Sequence, residues 1–137
     1  MPIDNKLSLK EDLRYGLNKE KELQSQIETI TGDLVKLDHY NPFDFKGINC
    51  FVELKSRRNE YSKYPTTMVG MNKIKKARQL IEDDNLIYFC FNFTDGLYYW
   101  LYTENIGIEK KGGRWDRGKQ EIKDYFYLPI EYLTKIV

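Results

Sequence analysis

The sequence predicts an α/β (α+β) fold, in which helices pack on a mixed central β-sheet. Two observations support this prediction. Apolar residues first recur at helical spacing, and short strand-like segments then flank a second helical segment. The 137 residues have the length of one domain, so we expect residues 1–137 to share a single core.

The first element is a predicted helix from about Ser8 to Ile30. Leu13, Leu17 and Ile27 belong to an apolar stripe whose members are three or four residues apart, which is the spacing of one helix face. Gly32 follows the stripe and is a suitable C-cap, so the helix is expected to end there.

Three extended segments follow, and the third has the strictest alternation of apolar and polar residues. This alternation places Cys50 and Val52 on one face of the strand, and Glu53 and Lys55 on the other. The segments are Leu34 to His39, a piece that begins at Asp44-Phe45, and, after a turn at Lys46-Gly47, Ile48 to Lys55.

The second half of the chain alternates loops, a helix and strands. One of these strands is continuously apolar, which is typical of a central strand that is buried on both faces. In order, the elements are a polar loop from Ser56 to about Thr67, a helix from Asn72 to Asp83, the apolar strand from Leu86 to Phe93, a hairpin strand from Leu97 to Thr103, a loop at Gly112-Gly113, a strand near Tyr125 to Leu128 and a short helix after Pro129.

The net charge of +1 hides a strong segregation of charge along the chain. Residues 55–78 carry eight basic side chains and one acid, a net +7, and residues 109–119 carry five basic side chains and two acids, a net +3. A polyanion responds to the local surface rather than to the sum, so near-neutrality does not exclude nucleic acid as a partner. The alternative interpretation is that both runs are solvated surface.

Several classes of protein are excluded by what the chain lacks. Two cysteines, Cys50 and Cys90, are too few for a disulfide scaffold or a Cys-rich zinc site. A single histidine is too few for most catalytic mechanisms that depend on histidine. No apolar run approaches a membrane span, and the first ten residues lack the apolar stretch of a signal peptide. We therefore expect a cytoplasmic, intracellular protein with reduced cysteines and no membrane partner.

The candidate chemistry lies on the clearest strand. Glu53 and Lys55 share one strand face, roughly 6–7 Å apart, and a short hairpin would bring Asp44 beside Glu53. Two adjacent carboxylates repel each other, and a hard cation such as Mg²⁺ relieves that repulsion. Lys55 would then orient or deprotonate an attacking water and stabilise charge on a phosphate. Phosphodiester hydrolysis needs these parts and no histidine.

The Glu-x-Lys pattern alone identifies nothing, because it occurs three times, beginning at Glu53, Glu109 and Glu121. Only the first occurrence lies in an amphipathic strand, follows an aspartate placed by a tight turn and precedes a basic loop and a basic helix. A cross-strand ion pair, worth less than about 1 kcal/mol when exposed, is the alternative interpretation. The context of the first occurrence favours the catalytic one.

Two stretches of this region resemble the PD-(D/E)XK nuclease superfamily, namely Asn41-Pro42-Phe43-Asp44 and Phe51-Val52-Glu53-Leu54-Lys55-Ser56-Arg57. The resemblance covers roughly residues 10–93 and implies a restriction-endonuclease-like αβββαβ core, as in Holliday-junction resolvases and phage nucleases. Phe43 separates the proline from the aspartate, so the literal Pro-Asp pair is absent. This departure affects recognition more than chemistry, because the proline is the least functional letter of the motif.

The resemblance also implies roles for individual residues. The metal ligands of that family fall on Asp44, Glu53 and the backbone carbonyl of Leu54, with Mg²⁺ as the expected ion and Mn²⁺ as a substitute. The family's lysine falls on Lys55, where it assists the attacking water. The resemblance thus predicts a catalytic set and a cofactor together.

Many members of that superfamily add a glutamate from the first helix to the metal site. Glu20 lies on the apolar stripe, where a carboxylate is costly unless it has a partner, so Glu20 is the predicted catalytic and metal-binding residue. Glu22 and Glu28 are the alternatives, and Glu20 as a residue at the edge of the stripe is another.

Basic and polar residues around the motif are the predicted DNA contacts. The helix after the motif strand begins where related nucleases place a Gln or Lys near the scissile phosphate, and a basic–aromatic loop follows later in the chain. A solvated helix start is the alternative for the first, and an ion pair of Asp116 with a neighbouring arginine is the alternative for the second. The predicted contacts are Arg57, Arg58, Asn72, Lys73, Lys76, Arg114 and Arg117.

The sequence as a whole predicts a Mg²⁺-dependent deoxyribonuclease that acts as an endonuclease. Because 137 residues leave no room for a specificity domain, we expect a nicking or structure-selective enzyme on duplex or branched DNA, of phage or mobile-element origin. One site cuts one strand, so cleavage of both strands would favour a homodimer. The alternative is a catalytically silent relative that binds nucleic acid or assembles with partner proteins.

Overall fold

The computed structural model describes the backbone of residues 5–114 and 121–137, and the side chains of residues 18–109 and 124–137. Neither helix in these ranges combines the length and the hydrophobicity that a membrane crossing requires. The elements in chain order are α1 (Asn5–Thr31), β1 (Val35–Lys36), β2 (Phe45–Gly47), β3 (Cys50–Ser56), β4 (Thr66–Gly70), α2 (Met71–Glu82), β5 (Leu86–Phe93), β6 (Gly96–Leu101), β7 (Ile108–Arg114), β8 (Glu121–Pro129), a 3-10 turn (Ile130–Tyr132) and β9 (Thr134–Lys135).

The larger sheet, called sheet A, has six strands in the order β1-β2-β3-β5-β6-β9. β1, β2 and β3 form an antiparallel unit, and β3 pairs in parallel with β5 after the crossover through α2. A parallel pair needs such a crossover, because a tight turn joins only antiparallel strands. The mixed sheet with flanking helices confirms the predicted fold class.

A second sheet, called sheet B, consists of β4, β8 and β7 in that order. Apolar residues of sheet B and α2, such as Val69, Ile74 and Phe126, pack on one face of sheet A together with Phe89. The other face of sheet A packs against α1 in a separate cluster. Sheet A therefore separates two cores, and the two faces of β3 serve different layers.

Local patterns locate most elements, and the differences come from long-range pairing. β4 begins in the last two residues of the predicted polar loop, and its Thr67 and Val69 are buried where β4 pairs with β8. Gly112 and Gly113 lie inside β7 rather than in a loop, paired with Lys123 and Ile122 of β8. β9 is an unpredicted edge strand of two residues.

The turn before β3 lies two residues later than predicted. Gly47 pairs with Cys50 inside the β2–β3 hairpin, so the turn is formed by Ile48 and Asn49. Asn49 adopts a left-handed φ of 58°, a conformation that asparagine tolerates better than most residues. Ile48 is consequently exposed instead of continuing the buried face of the strand.

Candidate active site

Asp44 is fixed in the chain by its two neighbours. Phe43 is buried in the core on the α2 side of sheet A, and Phe45 is buried in the core on the α1 side. The Asp44 amide donates to the Val52 carbonyl at 2.9 Å, one step beyond the last pair of the β2–β3 ladder. The backbone of Asp44 is therefore held beside β3 just before β2 begins.

The Asp44 carboxylate occupies the edge of β3 that β2 leaves open. Its Oδ2 accepts a hydrogen bond of 2.7 Å from the Leu54 amide. The amide and carbonyl of one strand residue point toward the same neighbouring strand. The Leu54 carbonyl therefore points to the same side as Asp44, which is the side that the family's third metal ligand requires.

Glu53 lies on the opposite face of β3 from the α1 core. It pairs with Phe89 across the parallel β3–β5 ladder and is only 3% exposed. Lys55 Nζ lies 3.2 Å from Oε1 of Glu53, and Lys73 Nζ from α2 lies 3.5 Å from Oε2. A buried carboxylate thus receives one lysine from its own strand and one from the following helix.

The environment of Glu53 disfavours its charged form. Burial raises the pKa of Glu53 above its ordinary value, and the neighbouring Asp44 carboxylate raises it further, while Lys55 and Lys73 oppose both effects. Among the described buried side chains, Oε2 of Glu53 is the polar atom without a hydrogen-bond partner. Lys73 lies at ion-pair distance from this oxygen, but the oxygen accepts no hydrogen bond and keeps acceptor capacity for a further cation.

The two lysines differ in how they are held. Lys73 is 19% exposed and also donates to the Pro42 carbonyl, so it links α2 to the segment that carries Asp44. The Lys55 side chain is 37% exposed and therefore the more accessible of the two. The predicted contact of Lys73 with DNA stays a prediction, and the structure adds an ion pair with Glu53 that the sequence analysis does not include.

The donors present fit a hard divalent cation. Asp44 and Glu53 supply carboxylate oxygens, one of which accepts no hydrogen bond, and the Leu54 carbonyl points to the same edge. Among the described residues, no group of three or more His, Cys, Asp or Glu side chains is placed to hold a metal. Two carboxylates suit Mg²⁺, which keeps several waters and is bound through one or two protein carboxylates.

Glu20 forms an ion pair with Lys36 and does not join Asp44 and Glu53. Oε1 of Glu20 lies 2.7 Å from Lys36 Nζ on β1, and α1 packs on the face of sheet A opposite to Glu53. The alternative acids are also engaged: Glu28 accepts from the Leu34 amide, and Glu22 lies near Lys19. The role of Glu20 stays a prediction that this geometry does not support.

Arg57 extends the row formed by Glu53 and Lys55. Its amide continues the parallel ladder by donating to Asn92, and its guanidinium donates to the Met68 carbonyl and to the Thr67 hydroxyl. Arg57 thereby ties the end of β3 to β4. Its predicted contact with DNA would have to coexist with these bonds.

The other predicted DNA contacts differ in placement. Arg58 and Asn72 are exposed, and Lys76 is half-buried beside a small cavity of about 260 Å³ near the Asp44 segment. Arg117 and the side chain of Arg114 lie outside the described residues. For all of these residues, DNA contact stays a prediction.

Replacing Glu53 with glutamine should stabilise the metal-free protein. Because the folded state raises the pKa of Glu53, ionisation of this carboxyl group lowers the stability of the fold at pH values above that pKa. The loss of stability vanishes below the ordinary pKa of 4.5, where the group is protonated in both the folded and the unfolded state. In EDTA at neutral pH, we expect Glu53→Gln to raise Tm by about 2–6 °C, and the gain to disappear near pH ~4. Thermal unfolding monitored by circular dichroism measures this, with exposed Glu131→Gln as the control. A lower Tm for Glu53→Gln at neutral pH would show that the two lysines outweigh the burial.

Fold and site together define the class of PD-(D/E)XK nucleases. The fold contributes the antiparallel β1–β2–β3 unit and the α2 crossover to parallel β5. The site contributes Asp44, Glu53 and Lys55 around the open edge of β3. A family model described as "Phage putative PDDEXK endonuclease" matches residues 12–136, and the chain belongs to this family. The resemblance predicted from the sequence is thus confirmed. Searches of curated proteins and of solved structures found no match.

Proposed function

We propose that this protein is a metal-dependent deoxyribonuclease that hydrolyses phosphodiester bonds within DNA. The observation that carries the proposal is Glu53, a buried carboxylate with an oxygen that accepts no hydrogen bond, placed near Asp44 and Lys55 at the open edge of β3. Membership of a family described as phage endonucleases supports the same reading. Phage origin fits that description.

The residues of the site divide into metal ligands and one residue that acts on the water and the phosphate. Asp44, held by the Leu54 amide, and Glu53 would hold Mg²⁺ together with the Leu54 carbonyl. A bound divalent ion supplies Lewis-acid activation and neutralises charge on the phosphate. Lys55 reaches solvent and would orient the attacking water and stabilise the negative charge that develops on the phosphoryl oxygens.

The substrate class follows from the surroundings of the site. Basic residues dominate the segment 55–78, which contains the end of β3, the following loop, β4 and most of α2. Positive charge of this kind binds the DNA backbone without reading sequence. A nicking or structure-selective mode on duplex or branched DNA is our proposal, with a homodimer where both strands are cut.

The test incubates the full chain with supercoiled plasmid, branched DNA and single-stranded DNA in Mg²⁺, Mn²⁺ or EDTA. We expect cleavage in either metal, none in EDTA, and a loss of at least about 10²-fold in Asp44→Asn, because the neutral amide loses the charge that holds the ion. Asp84→Asn is the matched control, since Asp84 is exposed with a φ of 61° that asparagine adopts readily.

Two outcomes would count against this function. Cleavage that persists in EDTA, or that Asp44→Asn leaves unchanged, would refute the site. Binding to DNA without cleavage on any substrate would favour a catalytically silent member of the family. The pairing of Glu53 with two lysines gives that alternative its basis, because an ion-pair cluster can persist for structure alone.

A further inference from the structure

A cavity of about 390 Å³ lies beside the proposed site, and the nuclease chemistry does not use it. It is enclosed by the loop after β3, the start of β4, β8 and the end of β5. Most of its lining is aromatic or apolar, with a few polar groups, which is the composition of a small-molecule site. Its principal lining residues are Arg57, Tyr61, Tyr64, Thr66, Phe93 and Tyr127.

The cavity lies on the same face of sheet A as the proposed catalytic residues. Glu53, Lys55 and Arg57 alternate along one strand, so Arg57 at the cavity wall is roughly 13 Å from Glu53 along β3. At about 3.4 Å per stacked nucleotide, this distance corresponds to about four nucleotides or fewer. A DNA strand whose phosphate lies at Lys55 and which runs along β3 toward Arg57 is therefore within reach of the cavity.

The inner wall of the cavity is rigid. Tyr61 stacks on Tyr98 with a centroid distance of 4.1 Å and an interplanar angle of 4°, and its hydroxyl donates to the Ile130 carbonyl. Phe93 is buried and packs edge-on against both tyrosines. Such a wall is formed before any ligand arrives, so little ordering is needed on binding.

The mouth of the cavity has a different character. Tyr64 is a 54% exposed aromatic side chain, and the ammonium of Lys63 lies 5.8 Å from the centre of its ring. An exposed aromatic face beside a cation matches a ligand that joins a flat ring to a negative charge. A nucleotide has both parts, since its base stacks on an aromatic ring and its phosphate pairs with a lysine.

We propose that this cavity is a nucleobase subsite that receives one base of the strand held at the nuclease site. The proposal rests on the proposed function for its substrate, and it adds a place where the protein contacts a base rather than the backbone. The base would lie against the fixed wall, with Tyr64 and Lys63 holding the base and its phosphate at the mouth. An apolar peptide or a free organic ligand would need neither the cation nor the alignment with Lys55.

The test measures equilibrium binding of single-stranded oligonucleotides of 12 nucleotides to the full chain in EDTA, so that binding does not depend on cleavage. We expect Tyr64→Ala to weaken binding about tenfold, the value of one lost base–aromatic stack, and Tyr64→Phe to bind like the parent. Tyr40→Ala is the matched control, because Tyr40 is 86% exposed and does not line the cavity. Thr66→Tyr, which fills the cavity, should weaken binding while Tyr64 remains.

A second measurement locates the base. In oligonucleotides with a single abasic residue moved along the strand, we expect a loss of binding at one or two positions for the parent protein, and no positional loss for Tyr64→Ala. Equal binding by parent, Tyr64→Ala and Thr66→Tyr, or the same loss at every abasic position, would overturn the subsite. Cleavage in Mg²⁺ without positional dependence refutes the subsite alone, whereas positional dependence without any cleavage refutes the nuclease and supports the subsite.

Discussion

Replacing Lys55 with alanine is expected to lower the rate of DNA cleavage about 10³-fold, whereas Lys73→Ala should lower it only about tenfold. Both amines pair with Glu53, at 3.2 Å and 3.5 Å, so proximity to the carboxylate does not distinguish them. Their exposure and their other contacts distinguish the two lysines. The comparison therefore separates a lysine that touches substrate from one that positions the site.

The difference in effect follows from exposure and partners. Lys55 is the more exposed lysine, and removing it deletes the charge nearest to the incoming phosphate. Lys73 is mostly buried between Glu53 and the Pro42 carbonyl, so its positive charge is already committed to the protein. Losing Lys73 leaves a buried carboxylate less compensated and loosens the segment that holds Asp44, which affects position rather than the chemical step.

Single-turnover cleavage of a supercoiled plasmid in Mg²⁺, with Tm recorded for each variant, measures the prediction. Lys73→Ala should reduce Tm more than Lys55→Ala, because its amine is the more buried one. Lys135→Ala on exposed β9 is the control and should change neither quantity. A larger loss of rate in Lys73→Ala than in Lys55→Ala would reverse the two roles.

The elements that the sequence predicts well are those whose pattern is local. The apolar run that forms β5, Leu86–Phe93, has the predicted ends because burial on both faces needs continuous apolar residues. The alternation in β3 correctly assigns Glu53 and Lys55 to one face, because side-chain direction repeats every two residues whatever the strand pairs with. β6, Gly96–Leu101, likewise pairs with β5 as the predicted hairpin strand.

The features that escape prediction depend on contacts between distant parts of the chain. β4 pairs with β8, about 60 residues later, and its five residues, Thr66–Gly70, are too few to be recognised as a strand without that partner. The ion pair between Lys73 and Glu53 requires the α2 crossover to place a helix start over β3. Glu20 lies on a core-facing stripe as predicted, but the stripe faces the other side of sheet A, and periodicity carries no information about which side a helix covers.

Replacing Gly107 with alanine is expected to destabilise the fold by about 3–5 kcal/mol, from the strain of a left-handed residue and from overpacking. Gly107 has a φ of 94°, and a Cβ atom built there would lie 2.1 Å from Cζ of Phe126. Phe126 cannot yield easily, because it is buried and stacks on Trp100 at 5.7 Å and 10°. Thermal unfolding should show Tm lowered by roughly 10 °C or more.

Gly32→Ala is the matched control for this effect. Gly32 has a similar left-handed φ of 79°, but a Cβ atom built there has no neighbour within 4 Å, so only the backbone term of about 1 kcal/mol applies. An equal loss of stability in the two variants would show that Phe126 adapts and that the aromatic contact contributes nothing. Adding Phe126→Ala provides a further check, because the clash is then removed and the two substitutions should be strongly non-additive.

The consequence of Gly107→Ala should extend to the proposed site. Phe126 pairs with Val69 in the β4–β8 ladder, and β4 leads directly into α2, which carries Lys73. A displaced Phe126 would shift β8 and β4 together, because packed aromatic cores transmit strain rather than absorb it. We therefore expect the Gly107→Ala protein that remains folded at low temperature to cleave DNA more slowly, and Gly32→Ala to cleave like the parent. Full activity in folded Gly107→Ala would show that sheet B does not position the site.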